Sequence, residues 1–110
     1  MKTIEDFIKK TNIGLKKYTN RPELVLNDGF KMSVQASSHH YCTPRFDFLN
    51  KYTSVEIGFP NKKEVLILEN AENPNTPTET VYDYVDCNIV NKVIEKHGGI
   101  NSIATFLKLN

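Results

Sequence analysis

The run Phe30-Lys31-Met32-Ser33-Val34-Gln35-Ala36-Ser37 most narrows what this chain can fold into. Phe30, Met32, Val34 and Ala36 are apolar and alternate with Lys31, Ser33, Gln35 and Ser37. Successive side chains of a strand point to opposite faces, so one face of this run meets a core and the other meets water. That two-sidedness belongs to antiparallel sheets. The preceding turn sets the register. A two-residue Asp28-Gly29 turn would place Leu26 opposite Lys31 and Leu24 opposite Ser33. A three-residue loop with Gly29 left-handed places Leu26 opposite Phe30 and Leu24 opposite Met32, apolar against apolar, and is the expected one.

The same rules place the other elements. Thr3-Ile4-Glu5-Asp6 has the form of a capping box, and Ile4, Phe7 and Ile8 recur at helical spacing up to a stop near Gly14. Val55, Ile57 and Phe59 alternate in a second clear strand, and Pro60-Asn61-Lys62-Lys63 is a turn. Glu64-Val65-Leu66-Ile67-Leu68 is expected to return as the partner strand. Its unbroken apolar run also fits a helical turn, so residues 64–72 stay open between strand and helix. Asn73 to Pro77 is a loop. Thr80 to Val85 reads as a strand with Tyr82 and Tyr84 on one face and Val81 and Val85 on the other. Asp86 caps a helix through Ile89, Val90, Val93, Ile94 and His97, which Gly98-Gly99 ends. Asn101 or Ser102 caps a last short helix carrying Ile103, Phe106 and Leu107. Helix, strands, then helices predict an α+β fold. It is a single domain over residues 1–110, with an antiparallel sheet of about four to five strands and the N-terminal and C-terminal helices packed on one face.

At 110 residues, 39% hydrophobic and 25% charged, the chain has room for one modest core. A formal net charge of +1 gives neither a strong nucleic-acid field nor an acidic mimic of one. Lys9, Lys10, Lys16, Lys17 and Arg21 are expected to be a solvated helix face. Met1 to Asp6 lacks the apolar stretch of a signal peptide, and no run approaches the roughly 20 apolar residues that cross a bilayer. No membrane association is expected; the expected location is cytoplasmic, with Cys42 and Cys87 as free thiols. An edge strand such as Val81 to Val85 offers a surface for dimer pairing, yet nothing selects a dimer over a monomer.

Chemistry concentrates in Ser37-Ser38-His39-His40-Tyr41-Cys42-Thr43-Pro44-Arg45. If the strand continues past Ala36, His40 and Cys42 share the core face, with Cβ atoms about 6–7 Å apart, loose for a thiolate–imidazole pair. A small buried Cys42 beside a hydrogen-bonded His40 is preferred over a Cys-dependent enzyme, the weakest alternative. Zinc fares no better. Cys87 and His97 would lie about 15 Å apart along one helix, and no CxxC, HxxxH or HExxH spacing occurs. Gly98-Gly99 comes after a helix rather than opening one, so no phosphate-cradling loop is present. No cofactor, metal or catalytic constellation is expected, and the chain is not read as an enzyme. The outward row of the same strand, by contrast, presents Gln35, Ser37, His39 and Tyr41, with Arg45 just beyond Pro44. These five are the candidate binding residues.

A set of segments carries a resemblance: Ser33-Val34-Gln35-Ala36-Ser37, His40 to Arg45, Val55-Glu56-Ile57-Gly58-Phe59-Pro60, Val81-Tyr82-Asp83-Tyr84-Val85 and Val93 to Ile100. In that order they resemble a family of small, mostly uncharacterised proteins of phages and prophages of low-GC Gram-positive bacteria, over roughly Phe30 to Ile100. The family often has Pro after the Tyr-Val pair, where this chain has Asp86. The resemblance implies a phage or mobile-element protein that binds and inhibits a host protein inside a bacterial host cell, as an anti-defence, anti-CRISPR-like factor. It supplies no residue-by-residue chemistry. The other reading of the binding strip is a nucleotide or single-stranded nucleic-acid module, although the charge does not point to nucleic acid.

Overall fold

The capping box forms as the sequence predicts. The Thr3 hydroxyl accepts from the Asp6 amide and the Asp6 carboxylate accepts from the Thr3 amide, starting helix α1, Ile4–Asn12. The computed structural model describes residues 1–107. Beyond α1 lie four strands: β1, Leu24–Val25; β2, Lys31–Gln35; β3, Ser54–Gly58; and β4, Val81–Asp86. They pair antiparallel in chain order. Helix α2, Cys87–Lys96, and a short α3, Ser102–Leu107, complete an α+β domain. Its radius of gyration of 12.7 Å matches the roughly 13 Å of a compact chain this long. No helix among the described residues is long and apolar enough to cross a membrane.

The expected three-residue loop is present. Leu24 opposes Met32, the Leu26 amide bonds the Phe30 carbonyl at 2.8 Å, and Gly29 stands at φ +92°. At the other end Asp86 caps α2 by accepting from the Asn88 amide, and Gly98 and Gly99 stop it at φ +87° and +93°. The Gly99 amide reaches back to the Ile94 carbonyl, the closing bond of a left-handed helix stop. Ile4, Phe7 and Ile8 of α1, Met32 and Val34 of β2, Val55 and Ile57 of β3, and Val90, Val93 and Ile94 of α2 fill one continuous core.

The structure corrects several expectations. Glu64 to Leu68 does not return as a strand: the free edge of β3 is taken by β4, and Leu68–Asn70 makes a single 3-10 turn. Phe59 leaves the extended conformation at φ +50° and turns its ring outward. In β4, Val85 opposes Val55 and Tyr82 opposes Ile57, so Asp83 and Tyr84 together face the single residue Glu56. This bulge resets the parity: Tyr82 and Val85 are both buried and Tyr84 is exposed. The outer edge of β4 is not free for dimer pairing, because Ala71 bridges Tyr82 and the Asn70 side chain donates to the Asp83 and Tyr84 carbonyls. In α3 the expected apolar residues Ile103 and Leu107 are exposed. Thr105 is buried instead, accepting from the Val25 amide. Lys16 and Lys17 lie beyond α1 in a loop, and Arg21 is buried rather than solvated.

One ionic cluster closes the end of the domain where the β1–β2 turn, the 60–67 loop and the end of α2 meet. Glu64 is 1% exposed, and its carboxylate takes bonds from Lys96 at 2.9 Å and from His97 Nε2 at 2.6 Å. The other ring nitrogen of His97 meets Asp28 at 2.6 Å, and the ring stacks on Phe30. Burial alone would raise the Glu64 pKa, but the Leu66 amide, His97 and Lys96 outweigh it and hold the carboxyl below its ordinary value. A depressed carboxyl stabilises the fold above the ordinary carboxylate range, and that contribution is lost as pH falls through the folded value. Glu64→Gln is therefore expected to cost about 2 kcal/mol at pH 7. Thermal melts of wild type and variant between pH 7 and 3 check this: the gap should narrow below about pH 4.5.

Candidate functional site

Two hydroxyls end β2 and shape the segment beyond it. The Ser37 hydroxyl accepts from the His39 amide at 2.9 Å and bonds His40 Nδ1 at 2.6 Å, while Ser38 donates through its amide and hydroxyl to Asp47 Oδ1. Such local side-chain bonds compete with a sheet ladder and turn the chain out of it. The strand therefore stops at Gln35. From Ser37 onward the chain folds back on itself. Cys42 Sγ donates to the Ser37 carbonyl, Thr43 bridges Ser54, and Thr43–Pro44 is cis. The buried Tyr52 hydroxyl donates to the Phe46 carbonyl and accepts from the Leu49 amide.

Because the strand ends early, the five expected binding residues do not form one row. Gln35 is buried, accepting from the Arg21 amide at 2.9 Å and donating to the Arg21 carbonyl and to Ser33. With Ser37 and His39 it borders a cavity of about 150 Å³ between the 15–21 loop and the start of the 37–48 segment. His39 is exposed, its ring edge-on to Tyr18 at 4.2 Å. Tyr41 and Arg45 stand elsewhere. The Arg45 guanidinium lies 5.3 Å over the Tyr41 ring, and Tyr41 lies 5.9 Å from Tyr84 on the bulge of β4. The Tyr84 amide donates to the Tyr41 carbonyl, and the Tyr41 amide to Glu56. Two places emerge, a cationic cavity and an aromatic–arginine patch. Comparison with protein-family models, curated proteins and solved structures finds no match.

Neither thiol is activated. Cys42 is buried, and that burial pushes its thiol pKa up. Cys87 is pushed up to about 12, again by burial first, despite its place at the start of α2. Both are weak nucleophiles at neutral pH. His40 is pushed below its ordinary value first by burial and then by the neighbouring His39, Arg21 and Arg45, against Glu56. Among the described residues no three His, Cys, Asp or Glu side chains are grouped to hold a metal.

Arg21, expected on the surface from its sequence context, is 4% exposed. Its Nη1 donates to the Ile8 carbonyl, Thr11 and Asn12 while Nη2 donates to the Ala36 carbonyl. It thus ties the end of α1 to the end of β2. No carboxylate stands within ion-pair distance of it among the described residues. Burial lowers its pKa, yet a guanidinium stays charged at any physiological pH. Arg21→Ala is expected to cost about 3 kcal/mol by orphaning these acceptors, and Arg21→Lys to recover less than half of that. Urea denaturation of the two variants beside wild type gives the comparison.

Proposed function

We propose that this chain acts by binding another protein through the patch formed by Tyr41, Arg45 and Tyr84. The supporting observation is Tyr84 itself. It occupies the left-handed position of a β-bulge at φ +52°, where glycine is the natural residue, and its ring is 46% exposed. A bulky side chain there costs roughly 1 kcal/mol and gives the core nothing in return. Tyrosine and arginine are the side chains that most often dominate protein interfaces, through large rigid contact area and multiple donors. Phe46, one residue past Arg45 in the chain, is also exposed. Given the resemblance of the sequence to phage and prophage proteins, the partner in this reading is a host protein, a component of bacterial defence, and the outcome is inhibition.

Capture from lysates of low-GC Gram-positive hosts is the direct test, with wild type beside Tyr41→Ala and Arg45→Ala. A specific partner kept by wild type and lost by both variants is expected; no specific partner in any host, or equal retention by all three, counts against the proposal. Tyr84→Gly separates binding from folding. Its melting temperature should stay level or rise by about 4 °C as the left-handed strain is relieved, while affinity for the partner falls about thirtyfold.

A further inference from the structure

The cavity beside Arg21 has features that the patch does not explain. Its lining carries three fixed cations, Lys16, Lys17 and Arg21, against the single carboxylate Asp47. Asp47 Oδ1 is already engaged by the Ser38 amide and hydroxyl. With the chain as a whole at +1, positive charge is concentrated here. Arg21 adds an unmet demand. A guanidinium has five N–H donors. Nη1 uses its two on three acceptors and Nη2 uses one on Ala36, while Nε is buried without any acceptor. A buried cation with spare donors and no carboxylate partner is short of an anion.

The mouth of the cavity adds a second, independent observation. Tyr18 and Phe48 both border it, and both hold left-handed backbones, at φ +66° and +59°. Neither ring is spent on the core, Tyr18 being 76% exposed. Bulky residues in this conformation carry strain that is commonly stored at ligand sites. Size then narrows the ligand. About 150 Å³ is below the 300–1,000 Å³ typical of sites that engulf a drug-sized molecule, so the cavity takes one small anionic group and leaves the rest of the ligand at the aromatic mouth.

We infer that the cavity binds the phosphoryl group of a nucleoside monophosphate, with Arg21, Lys17 and the Ser37 hydroxyl around the phosphate and the base against Tyr18 and Phe48. The oxyanion supplies the counter-charge that Arg21 lacks, and the aromatic faces supply stacking that tolerates any base. The site is separate from the protein-binding patch, since Tyr41 and Arg45 are not part of its lining.

The experiment titrates the full chain with AMP, inorganic phosphate and adenosine at matched ionic strength, following the melting temperature and the Arg21 Nε–H resonance in a nitrogen–proton correlation spectrum. AMP and phosphate should both raise the melting temperature and move that resonance, AMP acting at about tenfold lower concentration because it adds a base stack. Adenosine should do neither. Tyr18→Gly should fold at least as stably as wild type, lose the tenfold advantage of AMP and keep the phosphate response. Lys17→Ala should weaken both ligands. A 5′-phosphorylated oligonucleotide that matches AMP, while its dephosphorylated form is inert, would support the phosphoryl site and identify strand ends as its source. Silence of both readouts with AMP and phosphate at millimolar concentration overturns the inference, as does adenosine performing as well as AMP.

Discussion

The guanidinium of Arg21 is the interaction on which the end of the molecule that carries the candidate cavity depends. Three of its bonds go to the last turns of α1 and one to the carbonyl just after β2, while Gln35 closes on the arginine's own backbone from the other side. All of these acceptors are neutral, the Ile8 and Ala36 carbonyls, the Thr11 hydroxyl and the Asn12 side-chain oxygen, so they position the guanidinium without balancing its charge. The same bonds fix where the 15–21 loop lies and therefore where Tyr18 stands. They also fix Ala36, from which the 37–48 segment departs.

Much of the frame is readable in the sequence because it rests on local rules. The Thr3–Asp6 box, the Gly29 loop and its register, the Asp86 cap and the double-glycine stop each need only a few neighbouring residues to specify them. Expectation and structure part where distant partners decide. Glu64 to Leu68 has strand-like composition, but β3 has only two edges and Val81–Asp86 holds the one it needed. Arg21 sits between Asn20 and Pro22 in polar sequence, and nothing local marks it as buried. Its acceptors come from α1 and from the end of β2, which meet only in three dimensions.

The candidate site is legible as a neighbourhood but not as an arrangement. His39, Tyr41 and Arg45 are exposed and Ser37 half-buried, all near one another in sequence. Strand parity predicts a single row only if β2 runs on past Ala36, and the Ser37 and Ser38 hydroxyls act as strand terminators rather than as outward polar groups. Ser37-Ser38 is itself a turn signal, and giving it that weight breaks the row at the right place. Tyr18 and Tyr84, which complete the two surfaces, carry no sequence signal at all: one lies in a lysine-rich loop, and the other alternates as an ordinary strand residue.

What joins the two surfaces is an unusual distribution of backbone strain. Tyr18, Phe48, Phe59 and Tyr84 are the described non-glycine residues with positive φ, and every one is an exposed aromatic. Glycine or asparagine would suit these backbones better, so the conformation does not explain the residue. Burial does not explain it either, since all four residues are 46% or more exposed. In the proposed reading, the rings of Tyr84, Tyr18 and Phe48 are kept for contact with a partner or ligand. A left-handed residue projects its side chain away from the path of the chain on either side, which turns a large flat ring outward from a turn or bulge without opening the core beneath it. Tyr84 uses this beside Tyr41 and Arg45, and Tyr18 and Phe48 use it around the cationic cavity. Three of these four residues thus border the two candidate surfaces, while Phe59, just past β3, borders neither, and of the four only Tyr84 lies within a paired strand, at its bulge.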